Sequence, residues 1–193
     1  MSPRSASRNE SFAHTWNAEI LDQPPLIAPA RQYVYPQLVE EVERGALLVH
    51  VTPAEAPPFL ATFALGFAES TLPHGIWSCP HPDQICAVAG GYAYVLNVQH
   101  PEVWDQVPYR PVTMISVIPT HRLLLFVGFH SLCALGDNGC VWETERLSWE
   151  GLRITEVQTN LLSGFGWDLM TDTEIPFTVD LRTGIHTGGA GPG

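Results

Sequence analysis

The chain reads as an all-β protein: antiparallel sheets forming a sandwich, a partly closed barrel or a small propeller-like repeat array, with at most one short helix near the N-terminus. Three observations predict this. Charged residues make up 15% of the sequence against 45% hydrophobic, so neutral side chains and turns must supply the polar surface, as in sheet proteins. The 16 glycines and 17 prolines break the chain at intervals too short for long helices. Many short segments also carry the alternating or continuous apolar pattern of strands.

Taken in order, residues 1–31 are expected to be a flexible or strap-like lead-in, because Gln23-Pro24-Pro25 through Pro29 can continue neither a helix nor a central strand. Pro36 to Arg44 (PQLVEEVER) carries the one helical signal, with proline at the start, Leu38, Val39 and Val42 on one side and Gly45 as a stop. The β-rich domain is placed at 32–187. Its strands are read at Leu47–Thr52, Phe59–Leu65, Ile85–Ala89, Tyr92–Val98, Thr113–Ile118 and Leu123–Gly128. They continue at Ser131–Leu135, Val141–Thr144, Leu152–Val157, Leu161–Trp167 and Ile175–Leu181. Turns at Gly90-Gly91, Asp137-Asn138-Gly139, Glu150-Gly151 and Arg182-Thr183-Gly184 separate them, and residues 188–193 form a Gly-rich tail. Apolar runs begin at Leu47, Ile85, Leu124 and Leu161, separated by 38, 39 and 37 residues. A period near 40 is what one four-stranded blade would produce, and the last 50 residues resemble blade-type repeats, a likeness that implies nothing about chemistry.

Lysine is absent, and all nine basic residues are arginines. This excludes a lysine Schiff base, a P-loop clamp and a kinase-type lysine. The net charge of −11 argues against nucleic acid, whose capture depends on phosphate neutralisation, and against anionic membranes. Met1 to Glu10 lacks the apolar run of a secretory signal, and no stretch has the length of a membrane helix. The expected compartment is the cytoplasm.

The four cysteines, at 79, 86, 133 and 140, are too sparse for a disulfide scaffold. With Asn138-Gly139 as the hairpin turn, Asp137 faces Cys140 and Cys133 faces Thr144. That register puts the cysteines on one face but about 13 Å apart, beyond disulfide reach, so free thiols are expected. On the same pairing Trp142 shares their face and is expected in the core.

Two segments concentrate reactive groups. LPHGIWSCPHPDQIC (72–86) gathers His74, Trp77, Cys79, His81, Asp83 and Cys86. His74, Cys79, His81 and Cys86 could close a tetrahedral zinc site, although the spacing matches no common zinc module. The simpler reading is a Pro-stiffened surface loop with no cofactor. The acids Asp168, Asp172 and Glu174 lack the glycine and the ligand count of a calcium loop. No G-x-S-x-G elbow or G-x-G-x-x-G turn is present. Trp149 and Trp167 lie beside acids, a pairing suited to a protein partner or a sugar ring.

The expectation is a non-enzymatic binding or protein-interaction module for a basic protein partner or a small polar ligand, with His74, Trp77, His81, Trp149, Trp167 and Asp168 as candidate binding residues. The alternatives are a hydrolase or metal-dependent enzyme using the His74, Cys79 and His81 loop and nearby carboxylates, and a structural subunit of a homo-oligomer.

Overall fold

Strand pairing in the computed structural model, which describes residues 6–36 and 42–191, divides the chain into two compact units, Met1–Pro111 and Val112–Gly193. The domain expected at 32–187 has residues in both units. The helix expected at 36–44 falls largely on residues 37–41, outside the described ones.

The described residues of unit 1 hold nine strands: β1 (Ser7–Asn9), β2 (Trp16–Leu21), β3 (Arg31–Tyr35), β4 (Ala46–Pro53), β5 (Phe59–Ala64), β6 (Gly75–Ser78), β7 (Gln84–Ala89), β8 (Tyr92–Asn97) and β9 (Trp104–Gln106). They form two open sheets, ordered β2-β4-β5-β3 and β1-β6-β7-β8-β9. Pairing is antiparallel except for β1 on β6 and β3 on β5. The alternating burial of β4 (Leu47, Val49 and Val51 inward) meets Ile85, Ala87 and Ala89 of β7 in one core. Each fully buried side chain of this size contributes about 1.5–3 kcal/mol of transfer free energy. Rings extend the core to the sheet edges: Tyr35 stacks on Phe63 at 5.0 Å and meets Trp104 edge-on at 5.4 Å.

The segment read as a lead-in thus supplies edge strands, and Phe12, Trp16 and Ala18 are buried. Edge strands have one neighbour and shorter apolar runs, so prolines dominate the sequence signal there. The 72–86 segment also differs from the expected surface loop. Gly75–Ser78 is an interior strand buried at every position, and Cys79 and Cys86 are fully buried.

Unit 2 holds β10 (Met114–Ile118), a short 3₁₀ turn at Pro119–His121, β11 (Leu123–Val127), β12 (Leu132–Gly136), β13 (Gly139–Glu143), β14 (Leu152–Val157), β15 (Leu161–Asp168), β16 (Thr173–Asp180) and β17 (His186–Gly188). Its two antiparallel four-stranded sheets run β10-β11-β12-β13 and β14-β15-β16-β17. β11 (LLLFV) is buried on both faces, which explains its unbroken apolar run. Leu125, Val127 and Ala134 share a core with Leu162, Phe177 and Val179. The tail read at 188–193 begins inside β17, and Ala190 is buried, its N–H donating to the Leu147 carbonyl at 2.8 Å.

The protein is thus all-β with several antiparallel sheets. None of the four sheets closes into a barrel. Leu47, Ile85, Leu124 and Leu161 fall in β4, β7, β11 and β15, one in each sheet. Among the described residues, no helix is long and apolar enough to cross a membrane.

The 131–144 hairpin has a different register from the expected one. Gly136 pairs with Gly139, Leu135 with Cys140, Ala134 with Trp142 and Cys133 with Glu143, with a bulge at Val141. The loop is Asp137-Asn138. The offset between the cysteines shrinks from four residues to two, and their Sγ atoms lie 3.6 Å apart rather than at the far ends of a 13 Å ladder. The extra residue turns Trp142 to the opposite face from Cys133, into the core, where its indole N–H donates to the Leu181 carbonyl at 2.9 Å.

Candidate functional site

β15 sets up the most distinctive surface of unit 2. Its sequence LLSGFGWD alternates burial, with Leu162, Gly164 and Gly166 inward and Phe165 and Trp167 half-exposed on the other side. Period-2 alternation therefore places two aromatics on one face and two glycines behind them. Register puts Arg153 of β14 opposite Phe165, and Glu174 of β16 opposite Trp167. The Arg153 guanidinium lies 4.6 Å from the Phe165 ring centroid. It reaches diagonally to Glu174, donating from Nε to Oε1 at 3.1 Å and from Nη2 to Oε2 at 2.5 Å. This fork holds the Glu174 carboxyl below its ordinary value, chiefly through the Arg153 hydrogen bonds, and raises Arg153 in return.

The loop before β14 closes the upper end. Ser148 is fully buried. Its hydroxyl accepts from the N–H groups of Trp167 at 2.8 Å and Glu150 at 3.2 Å, and donates to the Gly151 carbonyl at 2.5 Å. Trp149 N–H donates to the Trp167 carbonyl at 2.9 Å, and Arg146 stacks 4.5 Å over the Trp149 ring. Together these elements enclose a depression of about 400 Å³ lined by Glu150, Leu152, Arg153, Phe165, Trp167 and Glu174. At this same, C-terminal end of β15 the following turn exposes Leu169 and Met170, the latter 84% exposed.

The residues singled out from sequence divide between the units. Trp149, Trp167 and Asp168 come together at this end of unit 2. Asp168, however, caps a turn. Its carboxylate accepts from Thr171 Oγ1 at 2.7 Å and from the backbone N–H groups of Met170 and Thr171 at 3.3 and 3.2 Å. The Thr171 hydroxyl is the largest of the influences holding the Asp168 carboxyl below its ordinary value. A depressed carboxyl stabilises the turn above the unfolded carboxylate range, and this contribution is lost as pH falls through the folded value. Thr171→Val is accordingly expected to raise the Asp168 pKa toward the ordinary carboxylate range in a carboxyl-carbon NMR titration.

His74, Trp77 and His81 belong to unit 1. Trp77 is buried in β6, and His81 Nδ1 accepts the Asp83 N–H at 3.1 Å, a local turn contact. The zinc set His74, Cys79, His81 and Cys86 is not assembled. Among the described residues, no group of three or more His, Cys, Asp or Glu side chains is placed to hold a metal ion. Burial pushes the Cys79 thiol well up, with Cys86 nearby adding to the shift, and burial alone does the same for Cys86. Both are buried thiols.

Sequence reasoning missed Ser148, Arg153 and Phe165. A usable signal was present in Gly164-Phe165-Gly166-Trp167: glycines alternating with aromatics mark a strand whose back is closely approached and whose front carries rings.

No family model and no curated protein sequence matches the chain. Among solved structures, the crystal structure of the N-terminal domain of Nup159 is similar over 96% of this chain and 53% of that one, at 12% identity and a TM-score of 0.37. The chain thus spans about half the length of that structure. A likeness this distant carries no argument, and the fold described here rests on the strand pairing alone.

Proposed function

We propose that the chain is a non-enzymatic interaction module that binds an arginine-bearing basic segment of a partner protein on the β14–β16 face of unit 2. The observation that carries this reading is the unequal treatment of three rings. Phe165 and Trp149 each carry an arginine of the chain itself, Arg153 and Arg146, while among the described residues no guanidinium lies over Trp167. Trp167 lines the depression beside Glu150 and Glu174, so a partner guanidinium can stack on its indole while carboxylates flank it. Residues 145–174 contain six acids (145, 150, 156, 168, 172 and 174) against two arginines (146 and 153), a field that speeds the approach of a basic partner. Leu169 and Met170 offer adjacent apolar contact.

The recurrence of sheets of four or five strands, with one such apolar run in each, supports an internal repeat of about 40 residues.

The test uses a labelled, unstructured Arg-Gly repeat peptide as probe, followed by fluorescence anisotropy. Trp167→Ala is expected to weaken binding about tenfold, or ~1.4 kcal/mol, with affinity falling as salt rises. Glu55→Gln, an exposed acid of unit 1, is expected to change it little. A Trp167→Ala loss no larger than that of Glu55→Gln would mean attraction by net charge and would refute the assignment of the face.

A further inference from the structure

We propose that Cys133 and Cys140 form a thiol–disulfide exchange site, at which a small anionic disulfide docks in the arginine-bearing pocket beside Cys140 and oxidises the pair to an intrachain disulfide. The site lies on the β12–β13 hairpin and does not depend on the binding face of β14–β16.

Geometry is the first support. The bulge at Val141 brings Cys140 opposite Leu135, and the two Sγ atoms stand 3.6 Å apart. A disulfide bond is about 2.05 Å long, so closure needs a shift of roughly 1.5 Å. β13 is an edge strand with a bulge, where the ladder is interrupted and the backbone can adjust. The remaining cysteines, Cys79 and Cys86, are fully buried.

The second support is the pocket of about 460 Å³ that Cys140 lines together with His121, Arg122, Asp137, Val141 and Arg182. Two arginines and a histidine face one aspartate there, in a chain of net charge −11. Arg122 is held by that aspartate, donating from Nε to Asp137 Oδ2 at 3.0 Å and from Nη2 to Oδ1. Arg182 is exposed at the same rim. A carboxylate-bearing disulfide fits this charge pattern, and an uncharged one gains nothing from it.

The unequal exposure of the two thiols orders the steps. Cys140 is exposed and Cys133 buried. Burial holds the Cys133 thiol well above its ordinary range, with the neighbouring Cys140 adding to the effect, so Cys140 attacks first. Its thiolate attacks one sulfur of the small disulfide, that S–S bond breaks, and one small thiolate leaves and takes up a proton. The mixed disulfide on Cys140 no longer carries a charge that opposes ionisation of Cys133. The Cys133 thiolate then attacks the Cys140 sulfur and expels the second small thiol. The two cysteines lose two electrons and two protons, and the small disulfide gains both.

The experiment incubates the reduced, folded chain with glutathione disulfide and follows intact mass and non-reducing peptide maps. The expected result is a mass lower by two hydrogen atoms, a single Cys133–Cys140 linkage, and reversal by excess reduced glutathione. Cys133→Ser and Cys133→Ala are each expected to trap one glutathione on Cys140. Arg182→Ala is expected to slow the reaction about fivefold or more with glutathione disulfide, and to leave the rate with uncharged bis(2-hydroxyethyl) disulfide unchanged. Retention of all four thiols in the folded chain, or linkage through Cys79 or Cys86, would overturn the site. An equal effect of Arg182→Ala on both disulfides would overturn the docking pocket.

Discussion

Trp16→Ala is expected to destabilise unit 1 by about 3–5 kcal/mol, the cost of emptying a large aromatic site in a packed core. Trp16 opens β2, is 5% exposed, and packs in the core shared by the two sheets of unit 1. Its indole N–H also donates to the Gln84 carbonyl at 3.0 Å, so alanine removes a partner from a part-buried acceptor. Neighbouring contacts tie the same segment down. Thr15 N–H donates to the Pro82 carbonyl at 3.1 Å, the Thr15 hydroxyl bonds the Asp83 carboxylate, and Ala54 N–H donates to the Thr15 carbonyl at 2.7 Å. Urea unfolding compared with hydrogen exchange of the β4 and β5 amides would measure the loss. A change below about 1 kcal/mol, the size of an ordinary surface substitution, would mean that the segment is a strap laid over a complete core.

Gly166→Ala is expected to have the second large effect, about 3 kcal/mol of destabilisation in unit 2 together with loss of the binding face. A Cβ at Gly166 would stand 1.9 Å from the Leu147 carbonyl oxygen and 2.9 Å from its carbon, both backbone atoms. No rotamer change relieves a backbone clash, so the 147–151 segment must move away from β15, an overpacking cost of this order. The segment carries Ser148, whose hydroxyl fixes Trp167 and Glu150, so the depression is reshaped as stability falls. Gly151→Ala provides the contrast. Nothing lies within 4 Å of its added Cβ, and only the positive φ of 79° is strained, a cost of about 1–2 kcal/mol. Thermal unfolding of the two variants, read beside peptide binding, would separate the clash from the strain. Equal destabilisation would show that the Leu147 backbone yields at a cost no greater than the φ strain at Gly151.

The central strands were legible because burial on one or both faces leaves a pattern in the residues. Val49 and Val51 alternate with less buried neighbours, and Leu123 to Val127 run unbroken. Each of the eleven strands read from sequence overlaps a strand of the structure. What escaped has physical causes. β1, β2 and β3 are sheet edges, where one-sided pairing relaxes the demand for apolar runs and prolines between them dominate the reading. β6 is four residues long and buried throughout, yet Pro73, Gly75 and Pro80 around it have the composition of a loop. The 133–140 register turned on the one extra residue at Val141, which no composition argument reveals.

The candidate site was partly legible for a similar reason. Trp149 and Trp167 stood out as aromatics beside acids. Arg153 and Glu174 meet only through cross-strand register, and Ser148 matters through backbone contacts that a serine in a sequence does not announce. His74, Trp77 and His81 drew attention by density along the chain, but Trp77 packs into a buried strand while His81 serves a local turn.

The central claim is that the β14–β16 face, with Trp167 at its centre, receives a basic partner segment. The most direct measurement is amide chemical-shift mapping of the labelled chain titrated with the Arg-Gly repeat peptide. The account predicts saturable shifts concentrated in residues 146–156 and 163–176, with the Trp167 indole among the largest and unit 1 nearly silent. Shifts spread in proportion to acidic residues over both units, with Trp167 unmoved, would contradict it.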